Sequence, residues 1–146
     1  LLKNGMNYTF DNLLDIAKGQ LASEDSAINK WQTENSQLIS KNNQPVFIDT
    51  DMYVMKVWGE FVFEKSHSWI LNQVVERKYD LYLLCNTDLP WVKDELREYP
   101  DLNAREKLYR HYKDLLINQN VPWVEINGTL NERFNKAITA VNNIIL

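Results

Sequence analysis

Phe10, Leu13, Leu14, Ala17 and Leu21 repeat with the i, i+3, i+4, i+7 rhythm of one helical face, and Thr9 stands before them as a candidate N-cap. Ile28, Trp31, Leu38 and Ile39 either extend that helix or form a second one. The asparagine-rich residues 41–44 and Pro45 break it. Val46, Phe47 and Ile48 then read as a short buried strand that ends in the triplet Asp49-Thr50-Asp51. Helical spacing returns over 52–61, and Ser66 or Ser68 opens a further helix through Trp69, Ile70, Val74 and Val75.

The segment "YDLYLLCN", residues 79–86, is nearly all apolar after Asp80. A half-exposed strand alternates, so unbroken apolarity predicts a parallel strand covered on both faces. Residues 87–101, "TDLPWVKDELREYPD", form a polar loop long enough to be functional. Asn103 with Glu106 is a capping pair for a helix over 104–119, whose apolar face carries Leu108, Tyr112, Leu115 and Leu116. Pro122 marks the start of a strand over 121–127, and Gly128 turns the chain. Thr129 and Glu132 then make a capping box for a last helix buried through Leu130, Phe134, Ala137, Ile138 and Val141. Strands alternating with helices predict a single α/β domain over 1–146 with a parallel sheet flanked by helices.

Composition narrows the partners more than the fold. With 146 residues and 45% apolar content the chain can bury a real core. A net charge of -4 without a basic stripe argues against nucleic acid. The single cysteine, Cys85, excludes an internal disulfide and fits a reducing compartment; it is expected to be a small buried hydrophobe. No apolar run reaches the roughly 18 residues of a membrane span, and no signal-peptide pattern occurs. These features predict a cytoplasmic protein without membrane contacts and leave self-association open.

In an open parallel sheet, ligands sit beyond the carboxyl ends of the strands. Asp49, Asp51, Asn86, Thr87, Asp88, Asn127 and Gly128 all follow predicted strands. A carboxylate so placed can hold Mg2+ directly or through water, or accept a proton from an attacking hydroxyl; it can equally cap the next helix. Lys93, Arg97 and Arg105 can clamp phosphate oxygens, or pair with the neighbouring Asp94, Glu95, Glu98, Asp101 and Glu106. His67 and His111 lack metal-ligand spacing and read as surface residues. Trp31, Trp69 and Trp123 read as packing. Trp58 and Trp91 follow the site loops, where an aromatic ring can stack on a flat ligand or simply fill core.

Taken in order, "PVFIDTD" followed by "KVW", then "YDLYLLCNTDLPWVKDELR", then "VPWVEINGTLNERF" resembles the ATPase-type P-loop domain of the ribosylnicotinamide kinase family, which also occurs fused to an adenylyltransferase in bacterial NAD-biosynthesis proteins. The resemblance covers essentially the whole chain. It implies a P-loop nucleoside kinase fold that uses ATP and Mg2+ to phosphorylate a nucleoside 5′-hydroxyl, with ribosylnicotinamide as the acceptor. It also implies that Asp49 or Asp51 occupies the catalytic position, with Asp49 the candidate Mg2+ ligand. Residues 87–105 resemble the lid, Arg97 and Arg105 its phosphate contacts. Asn127 and Gly128 would lie near the adenine, and Trp58 and Trp91 beside the nucleoside.

One element of that family is missing. No G-x-x-x-x-G-K-[ST], the loop that cradles phosphates, occurs in residues 1–146. Leu1 to Gly5 read as the end of a helix closed by glycine, so an N-terminal strand and P-loop, about 40 residues at the length of a βα unit, are expected upstream. By the resemblance that strand lies between 45–48 and 79–86, and this chain by itself is expected not to bind ATP tightly. The alternatives are a nucleotide-responsive or structural module that has lost the loop, or a P-loop ATPase with another substrate.

Overall fold

The computed structural model describes residues 8–34, 45–92 and 101–145. The elements are α1 (Phe10–Glu34), α2 (Met52–Phe63), α3 (Ser68–Glu76), β1 (Tyr82–Cys85), α4 (Leu102–Ile117), β2 (Trp123–Ile126) and α5 (Leu130–Ile145). They fall into two compact units, Tyr8–Glu76 and Arg77–Ile144.

The first unit is three packed helices. Thr9 caps α1 as the sequence implies: its Oγ1 accepts the Asn12 N–H at 3.2 Å, and Asn12 Oδ1 accepts the Thr9 N–H at 3.0 Å. The helix continues unbroken past Ile28 and Trp31, while Leu38 and Ile39 lie outside the described residues. Leu13, Ala17 and Leu21 of α1 close on Met52 and Met55 of α2 and Ile70 of α3, with Trp58, Phe63, Trp69 and Val74 packed around them. Gly59 permits the tight end of α2, since a Cβ there would stand 2.8 Å from the Lys65 carbonyl oxygen. The helix stops where Glu64 takes a left-handed φ of 55°, its N–H still bonded to the Glu60 carbonyl at 3.1 Å. Gly19 has open space at its Cβ position inside exposed helix. Gly19→Ala is therefore expected to stabilise the protein by about 0.5–1 kcal/mol, read as a rise in thermal midpoint.

Two expectations for this unit are corrected. Residues 45–48 form no strand among the described residues; Val46 and Phe47 are exposed, Phe47 at 69%. An extended segment becomes a strand only against a neighbour, and β1 and β2 hydrogen-bond to each other. His67 is half-buried, not a surface residue: its ring stacks on Phe10 at 3.7 Å and its Nε2 lies 2.8 Å from the Phe10 carbonyl oxygen.

The second unit holds the sheet. β1 and β2 pair in parallel with Tyr82 opposite Trp123 and Cys85 opposite Ile126. The ladder runs one residue further at each end, from Tyr82 N–H to the Pro122 carbonyl at 3.0 Å and from Asn86 N–H to the Ile126 carbonyl at 2.9 Å. Helix α4 packs on β1, so a parallel sheet flanked by helices, the P-loop kinase-like class, is the observed architecture. Leu84 is the buried residue of β1, whereas Cys85 is exposed, because it stands at the strand's end. Helix α4 is capped by Asp101, whose Oδ2 accepts the Ala104 N–H at 2.7 Å, and not by Asn103, which lies inside it.

Helix α5 departs most from expectation. Its capping box is present, with the Thr129 N–H donating to Glu132 Oε2 at 2.7 Å. Yet Leu130, Phe134 and Ile138 are exposed, and Ala140 is the buried residue. The helix is turned about its axis so that Arg133 reaches the carboxyl end of β1, donating from Nη2 to the Asn86 carbonyl at 3.0 Å and pairing with Asp88.

Candidate functional site

Each unit contributes one candidate cluster. In the first, Asp51 is the N-cap of α2: Oδ1 accepts the Val54 N–H at 3.0 Å, an extended backbone at Asp51 aiming the side chain back at the first turn. Its other oxygen, Oδ2, is buried without a hydrogen-bond partner. Burial pushes the Asp51 carboxyl up, the charge of Glu24 on α1 adds to that, and the N–H groups of Val54 and Tyr53 pull it back. Glu24 is itself buried, on the same face of α1 as Leu21. Asp49, two residues earlier in the turn, is exposed. Trp58 packs against the core of this unit.

A raised carboxyl favours the folded state at low pH and disfavours it as pH rises through the folded value. Asp51→Asn keeps a good cap and removes the buried charge. The variant is expected to melt higher than the parent at neutral pH, with the gap closing as pH falls toward 3.8, in thermal unfolding series.

In the second unit a pocket of about 530 Å³ opens at the carboxyl end of β1. Asn86, Thr87, Asp88, Leu89, Pro90, Leu102, Arg105 and Glu106 line it. The segment after β1 and the start of α4 thus supply its walls, at the strand end where a parallel sheet places ligands. Asp88 ties the two strand ends together: Oδ2 accepts the Gly128 N–H at 2.6 Å and Oδ1 pairs with Arg133. Those partners, Gly128 first, hold the Asp88 carboxyl below its usual range. Gly128 has φ 95°, which directs its N–H at Asp88 and favours glycine.

Glu125 of β2 is the hub beside the pocket. Its Oε2 receives Lys113 Nζ at 2.9 Å and its Oε1 receives Asn86 Nδ2 at 2.6 Å and Asn127 Nδ2 at 3.4 Å. Lys113, then Tyr109 and Asn86, lower its carboxyl from 4.5 to about 2. A depressed carboxyl stabilises the fold above its unfolded value, and that contribution is lost as pH falls. Wild type is therefore expected to lose more stability than Glu125→Gln between pH 4.5 and about 2 in acid unfolding followed by circular dichroism.

Trp91 Nε1 and Arg105 Nε are buried donors in this unit without an acceptor among the described residues. Buried N–H groups are rarely left so, and the Arg105 guanidinium, a cation with a donor to spare, fits an anionic ligand such as a phosphate. For Mg2+, no group of three or more His, Cys, Asp or Glu side chains capable of holding a metal occurs among the described residues.

Of the residues expected at the site, Asp49, Asp51 and Trp58 belong to the first unit, and Trp91, Arg105, Asn127 and Gly128 to the second. Arg105 lines the pocket with Asn86 and Asp88, and Gly128 touches Asp88. Asn127 is engaged by Lys136, which donates to its carbonyl at 3.2 Å. Lys93 and Arg97, within the expected lid 87–105, lie outside the described residues. Sequence reasoning missed Glu24, Lys113, Glu125 and Arg133. The one available signal was Glu125, a lone charge inside the apolar run "VPWVEIN".

Residues 4–133 match the AAA domain family. The chain belongs to that family. This AAA domain is also similar to the trifunctional NAD biosynthesis/regulator protein NadR of Escherichia coli K12, at 23% identity over 97% of this chain and 35% of that protein. The NadR protein of Salmonella typhimurium LT2 matches at 23% identity over the same shares. The AAA domain chain thus spans about a third of the length of the curated relatives it matches. Membership of the AAA domain family and the likeness to NadR support a nucleotide-related function in general terms. Among the described residues no helix is long and apolar enough to cross a membrane.

Proposed function

We propose that the protein carrying this chain transfers the γ-phosphoryl group of ATP to the 5′-hydroxyl of a nucleoside, ribosylnicotinamide, in NAD salvage. The observation that carries the reading is Arg105 Nε, a buried donor without an acceptor among the described residues, on a residue that lines a pocket at the carboxyl end of a parallel strand; Trp91 Nε1 is a second such donor. The NAD-biosynthesis designation of the NadR relatives supports the choice of nucleoside. Arg105, with Arg97, holds phosphate oxygens; Asn127 and Gly128 border the adenine; Trp91 and Trp58 meet the nucleoside ring. Asp49, the exposed carboxylate of the triplet, serves the acceptor hydroxyl and assists in holding Mg2+, with Asp51 the alternative for the hydroxyl. Bound ATP and Mg2+ supply the transferable group and neutralise its charge, and positioning does most of the remaining work. The partners in this reading are a nucleotide and a small nucleoside, not nucleic acid. Its one cysteine suits the cytoplasm.

The test is phosphorylation of a nucleoside panel by the intact protein with ATP and Mg2+, read by mass spectrometry. Ribosylnicotinamide gaining one phosphoryl group is the expected result; no phosphorylated nucleoside from any member overturns it. A second reading is a nucleotide-responsive module without the phosphate loop, and an upstream segment that lacks a G-x-x-x-x-G-K-[ST] motif would favour it. ATP binding without turnover is its signature, and turnover of ATP on a different acceptor marks an ATPase-type relative with another substrate.

A further inference from the structure

We propose that Asn86 reads a hydrogen-bond donor, N–H or O–H, on the nucleoside that occupies this pocket, and that Glu125 sets the orientation in which it does so. The inference rests on the nucleoside reading above and adds to it what the pocket selects. An asparagine amide can present either its carbonyl or its NH2 group to a ligand. Here the choice is made by Glu125. An ionised carboxylate accepts hydrogen bonds and donates none, so Asn86 must turn Nδ2 toward it, and the observed contact is 2.6 Å. The flipped amide would set Oδ1 against a carboxylate oxygen, two acceptors face to face. Glu125 stays ionised because Lys113 sits on its other oxygen and holds its proton affinity down.

The backbone leaves Asn86 little freedom to escape. Its N–H is bonded to the Ile126 carbonyl at 2.9 Å and its carbonyl receives Arg133 at 3.0 Å. What remains is Oδ1, an acceptor engaged by nothing among the described residues, on a residue that lines the pocket. The neighbouring acceptor, Asp88, is different: its two oxygens are already taken by Gly128 and Arg133. The pocket therefore has two chemical poles, Arg105 for an anionic group and Asn86 for a donor. On a nucleoside, that donor is a ribose hydroxyl or an amide N–H of the ring.

The experiment is steady-state kinetics of the intact protein with ATP and ribosylnicotinamide. The 2′-deoxy, 3′-deoxy and ring-carboxylate analogues separate the hydroxyl sources from the amide source. The expected result is that one of these analogues loses about tenfold in kcat/KM, the worth of one hydrogen bond. Asn86→Ala should level that difference. Glu125→Gln, whose amide can donate as well as accept, should raise the nucleoside KM about tenfold while the KM for ATP stays within about twofold. Equal movement of both KM values, or an analogue preference untouched by either substitution, overturns the proposal. If no nucleoside is turned over, the kinase reading fails by itself and binding decides this one. The Asn86 side-chain amide resonances of asparagine-labelled protein should shift in Glu125→Gln and on titration with ribosylnicotinamide. Absence of either shift overturns the inference.

Discussion

Asparagine in place of Asp49 in the intact protein is expected to lower kcat for nucleoside phosphorylation by about 100-fold or more, the range for loss of a group that handles a proton in the transition state. The thermal midpoint should hardly move. Both expectations come from the contrast between the two aspartates of one triplet. Asp51 is buried, with one oxygen fixed on the Val54 N–H as the cap of α2. Asp49 is exposed, and removing its charge disturbs no hydrogen bond found among the described residues. A carboxylate that is to meet Mg2+ or a substrate hydroxyl must be reachable, and Asp49 is the one that is. The paired measurement is Asp51→Asn, which preserves the cap. If Asp49→Asn keeps full activity and Asp51→Asn abolishes it, the roles assigned to the two carboxylates are reversed.

Ile70→Ala is expected to destabilise the first unit by about 3–4 kcal/mol, within the range for buried Ile or Leu truncations. Ile70 is fully buried and is the α3 residue that enters the cluster formed by Leu13, Ala17, Leu21, Met52 and Met55. Truncating it removes transfer energy and leaves a cavity whose walls belong to three helices, so no single side chain can move in to fill it. Urea unfolding followed by tryptophan fluorescence checks this, because Trp58 and Trp69 pack on the same cluster. A loss below about 1 kcal/mol would mean that the α3 contact contributes little. Val75→Ala, at an exposed position of the same helix, should change stability by less than about 0.5 kcal/mol and serves as the control.

Much of the local structure was legible because its causes are local. The apolar rhythm of α1, the Thr9 cap and the Thr129–Glu132 capping box each depend on residues within one or two helical turns. The parallel pairing of β1 with β2 followed from the apolar runs and the helix between them. Which face of α5 points inward was a different matter. Its sequence offers Leu130, Phe134 and Ile138, an apolar stripe at helical spacing, but the helix is set by the long-range attachment of Arg133 to Asp88 and the Asn86 carbonyl, and that stripe is exposed. Residues 45–48 show the same limit. Apolar composition makes a segment able to be a strand, whereas a hydrogen-bonding neighbour makes it one.

The candidate site divides along the same line. That carboxylates and amides follow the strands is written in the order of residues, and so is the cap-competent position of Asp51 after its turn. The sequence by itself thus determined the helices, the two paired strands, the α/β class and the family to which the chain belongs. Tertiary structure alone decided which of these groups are free to act. It buried Asp51 and left Asp49 in solvent, engaged both oxygens of Asp88, left Arg105 Nε without an acceptor among the described residues, and set Glu125 where it fixes the Asn86 amide. The physical reason is one of range: helical rhythm and capping act over a few residues of chain. Burial and hydrogen-bond competition are settled between partners such as Asn86 and Glu125, 39 positions apart.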